Sequence, residues 1–242
     1  LPSSDSTNEE IKRKAAEGAA EGLVIAADMQ TAGKGRRGRA WQSPAGKNLY
    51  FSILLRPEVK PAKASMVTLL MAVAVQKAAA AVSSTETLIK WPNDVIMHGK
   101  KITGILTEMY LKGEEIDFVV IGTGVNVKAQ TFPEELVNAS DIETESGRVI
   151  SRKELLEVIV DEFFVLYEEY VKTGNLRFVK ETYEKALVNK DRDVLILAPA
   201  GEYRAVAEGI DEKGELLVRM ADGTVRTVYA GEVSVRGIYG YV

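Results

Sequence analysis

Apolar runs and polar punctuation divide the chain into a long part that mixes helical and strand periods and a short tail of strands. Ser6, followed three residues later by Glu9, has the spacing of a capping box and predicts a helix over residues 6–20. Residues 23–27 and 48–55 are apolar enough to read as strands. Pro61 then opens a helix to about residue 82, with Met66, Leu69, Leu70 and Val73 on one face. Residues 87–91 read as a strand running into Pro92. Residues 94–97 and 102–110 look like hairpin arms joined by His98-Gly99-Lys100-Lys101. The β-branched run 116–127 predicts a strand crossing the centre of a sheet.

Residues 129–150 are polar and irregular. Ser151-x-x-Glu154 then caps a long helix whose buried stripe includes Leu155, Ile159, Phe163, Leu166 and Tyr170, and a further helix covers residues 177–187. From Asp191 the period changes to two, with turns at Lys213-Gly214 and Asp222-Gly223. That change predicts a small β-barrel beyond a boundary near Asn189, so the expected division is residues 1–188 and 189–242.

Composition narrows the classes. At 242 residues, 46% hydrophobic and 27% charged, the chain can bury a core of useful size. A net charge of −4 argues against wholesale binding to nucleic acid or to an acidic membrane. The absence of cysteine excludes disulfides, Cys–zinc sites and thiol nucleophiles, and agrees with a cytoplasmic setting. No uninterrupted run of 18 apolar residues occurs, so no membrane span is expected, and the start Leu1-Pro2-Ser3-Ser4-Asp5 is no signal peptide. The chain does not begin with Met, which leaves room for an upstream segment.

Charge changes the picture at one place. Between Asp28 and Glu58 lie six cations and no acid. The run reads Gln30-Thr31-Ala32-Gly33-Lys34-Gly35-Arg36-Arg37-Gly38-Arg39-Ala40-Trp41. Glycines let a backbone turn tightly and approach a ligand, arginines hold carboxylates and phosphates bidentately, and a tryptophan can cover a flat ring. A small anionic ligand carrying a base suits such a loop. Gly33-x-Gly35-x-x-Gly38 also matches the dinucleotide fingerprint, but Pro44 and Gly46 oppose the helix that fingerprint needs, and no acid precedes Glu58. A solvated basic loop is the plain alternative.

Three further segments carry candidate chemistry. Lys90-Trp91-Pro92-Asn93-Asp94 sets a cation, an amide and a carboxylate around a proline turn, although taken alone an Asx turn explains it. Lys101, eleven residues beyond Lys90, reads alone as an exposed hairpin lysine. Gly122-Thr123-Gly124-Val125-Asn126 puts glycines into the most apolar strand, the mark of a close approach or of a bulge. His98 is the only histidine and sits in a turn, which leaves Ser–His or His–metal chemistry almost no material.

Together with Ser6-Thr7-Asn8 and Lys101-Ile102-Thr103-Gly104-Ile105-Leu106, these segments resemble, in order and spacing, the biotin protein ligases along nearly the whole chain. The resemblance implies an α+β fold. Its parts are a mixed β-sheet flanked by helices, like the catalytic domain of class II aminoacyl-tRNA synthetases, and a small C-terminal SH3-like β-barrel. It implies ATP-dependent activation of biotin to biotinyl-5′-adenylate, then transfer to a lysine of a biotin carboxyl carrier protein domain of a biotin-dependent carboxylase. ATP and Mg²⁺ enter as co-substrate and metal, with no tightly bound cofactor.

By the same resemblance Lys101 stands between the biotin carboxylate and the α-phosphate, with Arg36 and Asp94 as its catalytic companions. Ser6, Thr7, Asn8, Gln30, Gly33, Lys34, Gly104 and Gly122 are assigned to biotin. Arg36, Arg39, Trp41, Lys90, Asn93 and Asn126 are assigned to the nucleotide, with Trp41 stacked on adenine, and Asp94 helps to place Mg²⁺. One residue departs from the pattern: Lys34 stands where the family usually has Arg, keeping the charge but losing the planar fork. Nothing before Ser6 is long enough for a helix-turn-helix, so no DNA binding is expected of residues 1–242. A homodimer through an edge strand near Val149 and burial of that segment by a loop remain equal readings. The rivals are a lipoate or octanoate ligase or transferase of the same fold, and a non-catalytic nucleic-acid-binding module. The complete arginine-glycine loop with Trp41 disfavours the first, and net acidity disfavours the second.

Overall fold

The computed structural model describes residues 1–198, 201–230 and 234–237. The expected C-terminal part, residues 189–242, is therefore described except at 199–200, 231–233 and 238–242. Helix α1 (Thr7–Ala16) precedes strands β1 (Val24–Ala27) and β2 (Leu49–Leu55), and the long α2 (Met66–Ser83) follows. Strands β3 (Leu88–Lys90), β4 (Asp94–Met97), β5 (Lys100–Lys112) and β6 (Glu115–Val125) complete a six-stranded sheet of order β1-β2-β6-β5-β4-β3. Helices α3 (Ile142–Ser146), α4 (Arg152–Thr173) and α5 (Arg177–Ala186) lead into the second part. There β7 (Arg192–Ala198), β8 (Gly201–Ile210), β9 (Leu216–Arg219), β10 (Val225–Val228) and β11 (Ser234–Gly237) form an antiparallel sheet of order β10-β9-β8-β7-β11.

All strand pairs in the first sheet are antiparallel, and parallel pairing is confined to isolated bridges such as Ile89 with Leu187. Every residue of β2 is buried, as is β6 from Phe118 to Thr123, which explains their unbroken apolar runs. Helix α2 is long and apolar enough to cross a membrane by length and composition. Twelve of its residues are instead buried, and it packs on α4 and the sheet as the centre of the core. Ser151 caps α4 as expected, its side chain accepting from the Glu154 backbone N–H. The buried stripe of α4 runs through Leu155, Ile159, Phe163, Tyr167 and Tyr170, with Leu166 only partly buried.

The two sheets share one core. Trp91 is fully buried and its indole N–H donates to the Gly214 carbonyl at 2.9 Å, while Leu69 and Leu176 crowd the same glycine. Both edges of the first sheet have neighbours: Ile89 of β3 accepts from the Val188 N–H, and Leu1 bonds the chain at Ala26 and Asp28 beside β1. Val149 lies outside any strand and is 93% exposed, so the edge strand expected there does not form. Gly147, in the left-handed region that ends α3, turns the chain away before a strand can start.

Candidate active site

The floor of the site is backbone. Strands β5 and β6 pair with Gly104 opposite Gly124 and Leu106 opposite Gly122. A Cβ at Gly122 would lie 2.0 Å from Asn8 Oδ1, and one at Gly124 would lie 2.4 Å from Trp41 Nε1. Those glycines let the start of α1 and the end of the cationic loop rest directly on the sheet.

Buried neutral groups surround that floor. Gln30 Oε1 accepts from the Thr7 backbone N–H at 2.8 Å and from its hydroxyl at 3.2 Å, while Gln30 Nε2 donates to Ser43 Oγ at 2.9 Å. Ser43 in turn donates to the Trp41 carbonyl at 3.0 Å. The Ser52 hydroxyl donates toward Asn8 Oδ1 at 2.6 Å and lies 2.7 Å from Thr7 Oγ1. Ser6, Thr7 and Asn8 are all buried, and with Gln30, Lys34, Lys101, Gly104 and Gly122 they line a cleft of about 50 Å³. Ser6 does not act as the expected capping-box residue: its side chain makes no cap bond and Asp5 accepts from its N–H at 2.8 Å. Glu9, the other half of the box, instead accepts from Lys12 and Lys34.

Lys101 reaches this cleft because of a bulge. Only His98 and Gly99 form the hairpin turn, both at positive φ (48° and 77°), so Lys100 and Lys101 belong to β5 rather than to the turn. Two consecutive positive φ values suit the tight turn of a twisted hairpin. Register then slips, Val95 facing Thr103 but Ile96 facing Lys101, which leaves one extra residue in β5. A regular strand would put positions 101 and 104 on opposite faces; the bulge puts Lys101 on the same side as Gly104, whose Cβ position lies 3.3 Å from Lys101 Nζ. Lys101 Nζ donates to Asp94 Oδ1 at 2.6 Å and lies 5.5 Å from the centre of the Trp41 ring. Its backbone is fixed by Asn138 and Ser140, through bonds of 2.7 and 2.9 Å.

A second, larger cavity of about 1050 Å³ adjoins the first. Arg36, Arg37, Arg39, Lys90, Lys101 and Arg236 line it, and among the described residues its carboxylates are Asp94 and Glu135. Arg36 bridges the two parts of the chain, donating to Asn93 Oδ1 at 2.7 Å and to the Ala230 carbonyl. Burial pulls the pKa of Arg36 down against the favourable charge of Asp94. Burial also pulls Lys90 down to about 8, again opposed by Asp94.

Asn126 lines the larger cavity, but its amide is occupied, donating to the Ser140 carbonyl at 3.0 Å and accepting from Asn48 at 3.3 Å. It holds the 138–141 segment that in turn fixes Lys101. Gly33 faces the loop itself, since a Cβ there would meet the Trp41 carbonyl at 2.4 Å. Lys34 lines the small cleft and pairs with Glu9, and Trp41 stands at the boundary of both cavities with its indole N–H unpartnered among the described residues. Ser52 and Glu108, both in contact with Asn8, were not among the expected residues. Strand parity offered a signal for Glu108: it shares the face of Gly104 and Leu106, where a lone acid has no packing reason.

Comparison with known proteins places the chain in a family. Residues 1–126 match the biotin/lipoate A/B protein ligase family, and residues 191–236 match the biotin protein ligase C-terminal domain. The bifunctional ligase/repressor BirA of Bacillus spizizenii is 35% identical over 231 residues, covering 94% of this chain and 70% of that protein. A biotin–[acetyl-CoA-carboxylase] ligase of Paracoccus denitrificans is 29% identical, covering 96% of this chain and 98% of its own length. Among solved structures, the biotin protein ligase of Aquifex aeolicus in complex with biotin and ATP superposes with a TM-score of 0.85 at 29% identity, covering 98% of this chain and 97% of that one.

Proposed function

Because the chain belongs to the biotin/lipoate A/B protein ligase family, we propose that biotin meets ATP where its two cavities join, at Lys101. The protein activates biotin with ATP to biotinyl-5′-AMP and transfers the biotin to a protein lysine. One observation carries the assignment of roles: Gly35, Arg36, Trp41, Asn93 and Lys101 line both cavities. The neutral polar groups of Ser6, Thr7, Asn8 and Gln30 in the small cleft suit the ureido ring, whose N–H and C=O groups need matched partners. A large cationic cavity suits a triphosphate.

In the first step a carboxylate oxygen of biotin bonds to the α-phosphorus, and the bond to the bridging oxygen breaks, its electron pair leaving with pyrophosphate. Two anions must approach, so the dominant cost is electrostatic. Lys101 offsets it with a compact charge that can follow the negative charge from carboxylate to phosphoryl oxygen. Asp94 holds that ammonium in place at 2.6 Å. Arg36, with Arg39 beside it, holds the phosphates. Trp41 closes over the reacting ends, and closure excludes the water that would hydrolyse the mixed anhydride.

In the second step the amine of a carrier lysine attacks the acyl carbonyl, AMP leaves with the electron pair of the broken bond, and the amine loses a proton. Mg²⁺ bound with ATP supplies charge neutralisation on the phosphate oxygens. The donors present fit an ion held mainly by the nucleotide, with Asp94 beside it. Among the described residues the cavity holds two acids, and no group of three metal-ligating side chains occurs. The natural acceptor is a biotin carboxyl carrier protein domain, and a reaction that consumes ATP supports a cytoplasmic setting. We assign residues 1–188 to the catalytic part and 189–242 to an appended part whose Ala230 carbonyl steadies Arg36.

The test is incubation with ATP, Mg²⁺ and either biotin or lipoate, followed by mass spectrometry of the small-molecule products. Biotinyl-adenylate with biotin is the expected result. An adenylate formed only with lipoate would overturn the substrate assignment.

A further inference from the structure

Asn8 is held at both ends of its amide. Its Oδ1 accepts from Ser52 at 2.6 Å, and its Nδ2 donates to Glu108 Oε2 at 2.7 Å. An amide can turn over, exchanging oxygen and nitrogen with little change of shape, so neighbours must decide which way it faces. Ser52 can donate or accept and decides nothing alone. A carboxylate can only accept, so Glu108 requires the amide nitrogen on its side and the oxygen over Gly122, on the floor of the cleft.

Glu108 is itself held. Lys12 Nζ donates to Glu108 Oε1 at 2.9 Å and to Glu9 Oε1 at 2.7 Å, and sits 5.2 Å over the Tyr110 ring. Its side chain is only 17% exposed. Burial pulls the Lys12 pKa down, yet its bonds to Glu9, Tyr110 and Glu108 outweigh that and hold the group above the ordinary lysine value. Glu9 also accepts from Lys34 of the glycine-rich loop. A line of alternating charge, Lys34–Glu9–Lys12–Glu108, thus ends on the Asn8 amide, which lies against Gly122.

We infer that Glu108 is a positioning residue for biotin: it acts through Asn8 by fixing which end of that amide the small cleft presents. The inference rests on the placement of biotin in that cleft. It does not require Glu108 to touch the ligand. Removing Glu108 frees the amide to turn, and molecules whose Asn8 then offers the wrong polarity are lost to a ureido group, so the apparent Kd rises as the inverse of the fraction still correctly turned.

The experiment is a double-substitution cycle on the full chain, read as the Kd for biotin by titration calorimetry and the KM for ATP. Glu108→Ala is expected to raise the biotin Kd by about tenfold while the KM for ATP stays within about twofold. In an Asn8→Ala background the same change is expected to add less than about twofold, because the group it acts through is gone. A merely structural Glu108 would move both substrates and would act equally in both backgrounds. Either that pattern, or an unchanged biotin Kd in folded Glu108→Ala, overturns the inference. If Glu108→Ala does not fold, Glu108→Gln serves. It keeps the shape but can present either end of its own amide, so a loss of about threefold is expected with Asn8 present and none without it. Wild-type protein that binds ATP but no biotin overturns the substrate reading, and this inference with it. Normal wild-type binding with an unmoved cycle overturns this inference alone.

Discussion

The two cavities that meet at Lys101 are built on opposite principles. The smaller has cations only where the loop and Lys101 reach it, and the rest of its polar wall is neutral groups whose bonds are already made: Thr7 to Gln30, Gln30 to Ser43, Ser52 to Asn8. The larger is walled by cations on a loop and on strand ends, with about 1050 Å³ of space. The first discriminates by polarity at fixed positions, where a mismatch leaves a buried group without a partner. The second attracts by charge and tolerates variation in where the charge sits. Lys101 belongs to both, which is why a single residue can be asked for the largest effect.

Lys101→Ala should therefore cost most. Adenylation, measured as pyrophosphate release at saturating biotin and ATP, is expected to fall about 10²–10³-fold. A rate near wild type in a folded variant contradicts the junction role.

Gln30→Leu separates the cavities. It removes the acceptor for the Thr7 N–H and the donor to Ser43, and should raise the biotin Kd about tenfold or more with the KM for ATP nearly unchanged. Equal losses for both substrates would mean that the neutral cleft does not discriminate by itself.

The smallest effect lies in pH. Burial first, opposed by Asp94, brings Lys90 to about 8, so its charge is present below that pH and lost above it. The kcat/KM for ATP is expected to fall several-fold between pH 7 and 9, and Lys90→Met should flatten that limb. Stability should move the other way. Above pH 8 the unfolded chain holds a proton that the folded one has released, so this group's contribution to stability rises with pH. A flat kcat/KM profile would place Lys90 outside the nucleotide's reach.

Much of the first sheet was legible because several of its strands carry apolar runs bounded by turn residues, and the start of the C-terminal strands was legible from a change of period near Asp191. The cationic loop was legible because an acid-free stretch stands out in a chain of net charge −4. The position of Lys101 was not. It depends on a one-residue bulge, which composition does not mark and which flips the face of every residue beyond it. Ser6 and Glu9 match a capping box by spacing, yet in the fold Ser6 lines the cleft and Glu9 faces two lysines, one of them 25 residues away on the loop. Local spacing cannot show such a competition. Glu108 is 100 residues from Asn8, a pairing that appears only once α1 is laid across the sheet.

The central claim is that Lys101 stands between the two reacting groups, and a crystal structure with biotinyl-5′-adenylate bound tests it most directly. The account predicts Lys101 Nζ within hydrogen-bond distance of both the acyl and the phosphoryl oxygens, with the biotin ring against Asn8 and Gly122. An adenylate lying wholly in the larger cavity, with Lys101 still paired only to Asp94, would contradict it.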